Sequence, residues 1–225
     1  FNSKMSLQLS KFAEKCSKII GIGRNYVAHA KELGNEVPTQ PILFMKPQSS
    51  IIYNNDNIII PYNCNNLHHE IELGIIISKE GYNISKSNAM DYIGGYCVSL
   101  DMTARDLQNE LKSKGLPWFI AKGFNTSCPV GNFIDKSMIS NPYELNLKLT
   151  VNDTIKQQSK CNLMIYDIPS LIEYITKYVT LQPYDVILTG TPNGVDSVTV
   201  GDLLKSELYS DDGSIYSCIT NTVTK

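Results

Sequence analysis

The segment His68–Ile77 reads HHEIELGIII and follows the turn-forming sequence NCNN at residues 63–66. Its apolar run predicts a strand. Side chains of a strand alternate between two faces, so Glu70 and Glu72 should lie on the same face. Two neighbouring carboxylates with no basic residue between them repel each other unless solvent or a cation offsets the repulsion. Because Mg²⁺ prefers carboxylate and water oxygens, the pair indicates a site for a hard divalent ion.

Two other interpretations compete with a magnesium site in this segment. A Glu-x-Glu pair on a strand is also typical of a solvated face. The adjacent histidines suggest zinc, but neighbouring residues of a strand point to opposite faces, so both cannot join the carboxylates. His68, on the carboxylate face, is a candidate ligand or a group that supports one. His69 is expected to pack or hydrogen bond on the other face.

The composition is that of one ordinary folded domain. The chain has 225 residues, of which 42% are hydrophobic, enough for a buried core. We expect a single domain at residues 5–225, with residues 1–4 before Met5 as a cloning remnant. A net charge of −2 disfavours nucleic acid and anionic membranes as partners. The sequence has no apolar stretch near the roughly 18 residues that a membrane-spanning helix needs.

The cysteines favour a reducing compartment. All six are scattered, and no two form a Cys-x-x-Cys pair, which disfavours a zinc knuckle and a redox motif. No sequence after Met5 resembles a secretory signal. We therefore expect a cytoplasmic or mitochondrial protein.

Short apolar segments bounded by Pro, Asn and Gly predict a strand-rich chain. A short helix is expected at residues 26–34, where Gly34 is a plausible end. Helices are also expected at residues 101–114 and 168–179, where apolar residues recur at helical spacing. Strands and helices do not alternate regularly, so we expect an α+β fold with a mainly β core rather than a doubly wound sheet. The predicted strands cover residues 18–23, 42–46, 50–53, 58–61, 70–78, 92–100, 145–151, 185–189, 203–208 and 215–223.

Asp101 stands where a predicted strand ends and a predicted helix begins. One interpretation is an aspartate that caps the helix, and another is a metal ligand held rigidly at the strand end; the two are compatible. Asp101, Arg105 and Gln108 would share one stripe of that helix. The alternative for this stripe is a solvated helix face.

Three further places could carry chemistry. His29 and Glu32 are three residues apart in the first predicted helix, so they form either a surface ion pair or a general base oriented by a carboxylate. Lys122 lies among apolar residues, where it either stabilises a developing enolate or extends its ammonium to water. Thr191 belongs to the turn Thr189–Gly194, which either binds a substrate carboxylate or is only a turn.

Several motifs follow one another in a fixed order. They are GIGRNY at 21–26, PILFMKP at 41–47, HHEIELG at 68–74, DYIGG at 91–95, LDMTARD at 100–106, KGLPW at 114–118, AK at 121–122 and LTGTP at 188–192. This combination resembles the fumarylacetoacetate hydrolase family along nearly the whole chain. It is most similar to the small single-domain acylpyruvase and oxaloacetate decarboxylase branch.

The resemblance implies a mixed β-roll fold with a few short helices, a homodimer and a bound Mg²⁺ ion, with Mn²⁺ as the alternative. The implied dyad would lie on a segment that orders when substrate binds. The implied site residues are the metal ligands Glu70, Glu72 and Asp101, the water-activating dyad His29 and Glu32, the catalytic Lys122, and the substrate contacts Arg105, Gln108 and Thr191.

The implied function is metal-dependent C–C bond cleavage of short 2-oxo acids through a metal-bound enolate. The reactions would be acylpyruvate hydrolysis to pyruvate and a carboxylate, oxaloacetate decarboxylation to pyruvate, or both. Three alternatives stay open: an oxaloacetate keto–enol tautomerase on the same fold, a hydratase or decarboxylase of longer dienoic oxo acids, and a non-catalytic protein that binds the metal or an oxo acid. Asp196 stands where many family members have glycine, so the shape of the loop after Thr191 is also open.

Overall fold

The computed structural model describes residues 8–34 and 36–225, and its elements are numbered here along the chain. The cloning remnant predicted before Met5 lies outside the described residues. The helices are α1 (Phe12–Lys15), α2 (Val27–Glu32), α3 (Arg105–Ser113), α4 (Phe119–Lys122) and α5 (Ile168–Thr176). The strands are β1 (Ile19–Gly23), β2 (Ile42–Lys46), β3 (Ile51–Ile52), β4 (Asn57–Ile59), β5 (Leu67–His68), β6 (Ile71–Ile77), β7 (Ile93–Leu100), β8 (Thr103–Ala104), β9 (Cys128–Pro129), β10 (Ile134–Asp135), β11 (Asn146–Val151), β12 (Thr154–Lys160), β13 (Val186–Leu188), β14 (Ser197–Val198), β15 (Leu203–Tyr209) and β16 (Ile215–Thr224).

The largest sheet has the strand order β10-β7-β6-β13-β1-β2, with β6 near its centre. Strand β6 is antiparallel to both of its neighbours. All its residues are buried, and they divide between two hydrophobic clusters, with Leu73 in one and Ile76 in the other. A strand covered on both faces needs apolar residues at successive positions. This explains why the segment is a continuous apolar run.

A second sheet, in the order β12-β11-β15-β16-β4, packs against the first. Its inward residues Leu147, Leu149, Leu204 and Leu208 belong to the same cluster as Leu73. A turn at Asn152-Asp153 joins β11 to β12, with φ angles of 49° and 64° at the two residues. Positive φ at both central residues is the conformation that two-residue hairpins favour.

Most predicted elements are present, and the α+β, mainly β class is confirmed. The predicted start of the helix at residues 101–114 was wrong. It begins at Arg105 after the N-cap residue Ala104, so Asp101 is not its cap. The preceding residues form β8, which pairs with β5. Pairing with a distant strand therefore outweighs the local helical pattern. No helix of the described residues is long and apolar enough to cross a membrane.

The register of β6 and β7 creates the site. Ile71 lies opposite Leu100, so the beginning of β6 meets the end of β7. The backbone N–H of Asp101 donates to the carbonyl of Glu70 at 2.8 Å. Residues just outside two paired strands are thus brought together at one end of the sheet.

Candidate active site

Three buried carboxylates form the centre of the site. Glu70 and Glu72 lie on the same face, as strand alternation predicted, and Asp101 joins them from the end of β7. One oxygen from each residue lies within 4.8 Å of the others. Their exposed fractions are 4%, 1% and 0%. The alternative of a solvated acidic face is excluded by this burial.

Two cations neutralise Glu70 and Asp101. The Lys122 ammonium donates to Glu70 at 2.9 Å and also to Asp101, while Arg105 donates to the other oxygen of Glu70. Burial alone would raise the pKa of Glu70, but Lys122 and Arg105 outweigh burial and hold it well below its usual range. Likewise, burial would lower the pKa of Lys122, but Asp101 and Glu70 raise it. Lys122 is therefore a buried ammonium, not a lysine that extends to water.

Lys46 is a second buried lysine, and sequence reasoning did not single it out as a site residue. Its ammonium lies 2.7 Å from an oxygen of Asp101. It also donates to the carbonyls of Met102 at 3.2 Å, Ser127 at 2.9 Å and Lys122. Lys46 therefore ties Asp101 to the segment that carries Lys122. The sequence feature that could have identified Lys46 is the presence of a lysine at the end of an otherwise apolar strand, Ile42–Lys46.

Glu72 differs from the other two carboxylates because no ion pair neutralises it among the described residues. Its carboxylate accepts the backbone N–H of Gly190 at 2.6 Å. Burial, then Asp101 and then Glu70, raise the pKa of Glu72 well above its usual range. A buried cluster of three oxygen donors with one uncompensated carboxylate fits a hard divalent cation. The observed cluster contains carboxylates alone, so it does not resemble a zinc site.

The predicted pair of His29 and Glu32 is present on α2. The Nδ1 atom of His29 lies 3.5 Å from Glu32, a long contact, and the other oxygen of Glu32 accepts the backbone N–H of Gly194 at 2.9 Å. His29 is buried, and burial lowers its pKa despite the nearby carboxylates Glu70 and Glu32. The pair is therefore not a surface ion pair, because its histidine is neutral and faces the interior.

The two histidines at the beginning of the central segment have separate surroundings. His69 is buried on the opposite face, and its Nδ1 lies 3.0 Å from the amide oxygen of Gln157, as the pattern predicted. His68 accepts the Nε–H of Arg105 at 3.4 Å and does not belong to the carboxylate cluster. Burial, followed by Arg105, lowers the pKa of His68 to about 4. His68 is thus a neutral group beside Arg105.

The turn around Thr191 is anchored to the strand that carries the carboxylates. The Thr191 hydroxyl donates to the carbonyl of Ile71 and accepts from Gln157, each at 2.8 Å. Gln157 also accepts the N–H of Ile71 at 3.0 Å, a role that the sequence did not reveal. Asp196, the departure from the family pattern, pairs with Lys156 at 3.1 Å. The Thr191 hydroxyl therefore forms its hydrogen bonds with other groups of the protein.

One pocket collects most of the predicted site residues. Asp101 lies behind it, bonded to Lys122, and Glu32 lies behind His29. Arg105 and Gln108 are linked at 2.6 Å on its wall, as their shared stripe predicted. The predicted residues that line the pocket are His29, Glu70, Glu72, Arg105, Gln108, Lys122 and Thr191.

The fold and these motifs match one family model, "Fumarylacetoacetate (FAA) hydrolase C-terminal", over residues 18–224. The chain belongs to the fumarylacetoacetate hydrolase family. It is 50% identical to "Oxaloacetate tautomerase fahd-1, mitochondrial" of Caenorhabditis elegans, over 88% of this chain and 92% of that protein. It is 47% identical to "Oxaloacetate decarboxylase, mitochondrial" of Dictyostelium discoideum, over 88% of this chain and 91% of that protein.

A solved structure is also closely similar. The crystal structure of fumarylpyruvate hydrolase from Pseudomonas aeruginosa in complex with Mn²⁺ and pyruvate has a TM-score of 0.87 and 31% identity, covering 93% of this chain and 90% of that one. These similarities confirm the predicted family and the prediction that the chain is an enzyme. The mitochondrial names of the two relatives agree with the predicted cytoplasmic or mitochondrial location.

Proposed function

We propose that this enzyme uses a divalent metal ion to break a C–C bond in short 2-oxo acids, by oxaloacetate decarboxylation, acylpyruvate hydrolysis or both. One observation carries the proposal: two members of a cluster of three buried carboxylates line one small pocket together with a buried ammonium and a neutral histidine. The names of the Dictyostelium decarboxylase and the Pseudomonas hydrolase support both reactions.

Glu70, Glu72 and Asp101 are the proposed metal ligands. The uncompensated charge of Glu72 supports this assignment, as does the all-oxygen donor set. We propose Mg²⁺ as the ion, with Mn²⁺ as the alternative, because both accept carboxylate oxygens. When bound, the ion would supply Lewis-acid polarisation of the 2-oxo group.

Lys122 is proposed to stabilise the negative charge that the reaction develops on the substrate. In decarboxylation, the C3–C4 bond of oxaloacetate breaks, CO₂ leaves, and the electron pair remains on C3 as the enolate of pyruvate. Asp101 and Glu70 keep the lysine protonated, since they raise its pKa. A preorganised ammonium in a buried site stabilises such a charge strongly.

His29 is proposed as the base for hydrolysis. Its lowered pKa leaves the imidazole neutral at pH 7, so it can accept a proton from water. The Glu32 carboxylate can only accept a hydrogen bond, so it favours the His29 tautomer with the proton on Nδ1. The Nε2 atom of His29 is then free to accept the proton of that water. The water attacks the distal acyl carbonyl, the C–C bond breaks, and pyruvate leaves as the same enolate.

The remaining predicted residues are proposed as substrate contacts. Arg105 and Gln108 form a linked pair on the pocket wall, and both present hydrogen-bond donors. Thr191 has its hydroxyl bonded to Ile71 and Gln157. We therefore assign to Thr191 a contact through its methyl group or backbone.

A second candidate is keto–enol tautomerisation of oxaloacetate. The observation that favours it is a neutral base, His29, on the same pocket as the ammonium of Lys122. Moving a proton between C3 and the enol oxygen requires a base and a stabilised enolate but no leaving group. The Caenorhabditis relative carries the name of this reaction.

We also propose residues 5–225 as one catalytic domain that assembles as a homodimer. The apolar side chains of Leu116, Phe119 and Ile120 are exposed on one surface, which supports association with a second copy. Sedimentation analysis of the purified chain tests this assembly, and a monomer at micromolar concentration would contradict it.

The proposed function is tested with oxaloacetate and acetylpyruvate as substrates. Loss of the enol is followed by its ultraviolet absorbance and pyruvate is measured by a coupled assay, each with Mg²⁺ and with EDTA. Glu70→Ala is the control, because free metal ions decarboxylate oxaloacetate by themselves. We expect pyruvate formation that requires both the metal and Glu70. Enol loss without pyruvate would favour the tautomerase, and no turnover above the control would contradict both candidates.

A further inference from the structure

The charges of the pocket do not balance. Its lining contains four cations and two carboxylates, and a third carboxylate, Asp101, lies behind the lining and pairs with Lys122. Glu70 is paired with Lys122 and Arg105, as described above. The two lining cations outside that group are Arg24 and Lys112, and neither forms an ion pair with any carboxylate among the described residues.

Arg24 occupies an unusual backbone conformation directly after β1, with a φ of 60°. A residue with a side chain adopts this left-handed region at a cost, and such residues cluster at functional sites. The next residue fixes the turn, because the buried side chain of Asn25 accepts the N–H of Tyr166 at 2.7 Å and donates to the carbonyl of Thr189 at 2.8 Å. Arg24 is thus held on the pocket wall by its neighbour's bonds, and burial lowers its pKa.

Lys112 reaches the same pocket from α3. It follows Arg105 and Gln108 by seven and four residues, so the three share one helix face. Its ammonium lies 5.1 Å from the ring centre of Trp118, which also lines the pocket. Burial, followed by Arg105 and Arg24, lowers the pKa of Lys112 to about 8. Because these two partly buried cations repel each other, an anion bound between them would offset the repulsion.

We propose that Arg24 and Lys112 bind the distal carboxylate of the substrate and make the enzyme selective for 2-oxo diacids over 2-oxo monoacids. The inference rests on the proposed function, in which the 2-oxo acid end of the substrate occupies the carboxylate cluster. The other end then extends toward the lining residues that the chemistry does not use, among which Arg24 and Lys112 carry positive charge. A terminal methyl group, as in acetylpyruvate, would leave both cations without a partner.

The binding test uses two stable 2-oxo acids of equal length. 2-Oxoglutarate and 2-oxovalerate both have five carbons, and they differ in the terminal carboxylate. Their affinities are measured by calorimetry with Mn²⁺ for the wild type, Arg24→Gln, Lys112→Gln and the double variant. Oxalate has no distal end, so its affinity measures binding at the carboxylate cluster and its metal ion alone. Lys114→Gln is the matched control, because Lys114 is exposed on the same segment and pairs with Glu110.

Each charge-assisted hydrogen bond should contribute roughly 10- to 100-fold in affinity. We expect the wild type and Lys114→Gln to bind 2-oxoglutarate at least about 10-fold more tightly than 2-oxovalerate. The double variant should bind both equally, with unchanged affinity for oxalate. Equal affinities in the wild type, or a preference that survives in the double variant, would overturn the inference alone. Failure of all three probes, oxalate included, would contradict the proposed function as well.

Discussion

Glu72→Gln should stabilise the protein when no metal is present. Glu72 is buried beside two other carboxylates and is not ion-paired, whereas Glu70 and Asp101 are. Glutamine keeps the shape and can still accept the Gly190 N–H that glutamate accepts at 2.6 Å. The substitution therefore removes a repelled charge and little else.

The magnitude follows from the geometry. The carboxylate oxygens of the cluster lie within 4.8 Å of one another. Two like charges at such a separation repel by about 3.5 kcal/mol if the effective dielectric constant is about 20. Lys122 offsets part of this repulsion, so we expect a net gain on the order of 2 kcal/mol. For a domain of this size, that gain corresponds to roughly 4–8 °C in melting temperature.

The assay is thermal unfolding in EDTA between pH 5 and pH 7.5. Because the pKa of Glu72 is raised in the folded state, its contribution to stability is full below the usual glutamate pKa of about 4.3 and is lost as the pH rises toward the folded pKa. The advantage of Glu72→Gln should therefore be small at pH 5 and grow toward pH 7.5. Excess Mg²⁺ should stabilise the wild type more than the variant.

Glu207→Gln is the matched control with the opposite expected sign. Glu207 is equally buried, but it pairs with Lys148 at 2.5 Å and Lys205 at 2.8 Å. Burial alone would raise the pKa of Glu207, but the two lysines outweigh it and lower the pKa. Its stabilisation is present above the usual glutamate pKa, so Glu207→Gln should melt lower throughout this range. If Glu72→Gln also melts below the wild type in EDTA at pH 7.5, the charge argument for a cation site is refuted.

Three further substitutions test other parts of the account. Lys122→Ala should lower turnover of oxaloacetate by about 10²–10³-fold, since it removes a group that stabilises developing charge; near-normal turnover would reject its role. Glu32→Gln should slow acetylpyruvate hydrolysis by roughly 10-fold or more while calorimetry shows unchanged Mn²⁺ affinity; a parallel loss of both would make its role structural. Lys46→Met should cost about 3–5 kcal/mol in thermal unfolding because it leaves Asp101 buried with one cation fewer. The exposed Lys160→Met control should cost less than about 1 kcal/mol, and equal losses for the two variants would argue against the Lys46 contact.

Local patterns were sufficient for part of the site. The alternation of side chains along a strand placed Glu70 and Glu72 on one face, and helical spacing brought His29 toward Glu32. In both pairs the two residues are near neighbours in sequence. The structure confirmed that the members of each pair lie close together, because the first segment is a strand and the second is a helix, as predicted.

Contacts between distant segments were beyond the sequence. Lys46 meets Asp101 although β6, β13 and β1 lie between β7 and β2 in their sheet, and no local pattern encodes that approach. The helical pattern extended back to Asp101, yet Thr103 pairs with His68 across β5 and β8 instead. Gln157 likewise reaches Ile71 from another sheet. Tertiary contacts between distant segments, which depend on the whole chain, decided each of these cases.

Glu70, Glu72 and Asp101 should together hold one divalent ion. The most direct measurement is a titration with Mn²⁺, in which free Mn²⁺ is quantified by electron paramagnetic resonance for the wild type and for Glu70→Gln/Asp101→Asn. We expect one bound Mn²⁺ per chain in the wild type, displaced by excess Mg²⁺. We expect no saturable binding in the double variant, whose folding is verified by circular dichroism. Equal Mn²⁺ binding by a folded double variant, or none by the wild type, would contradict this expectation.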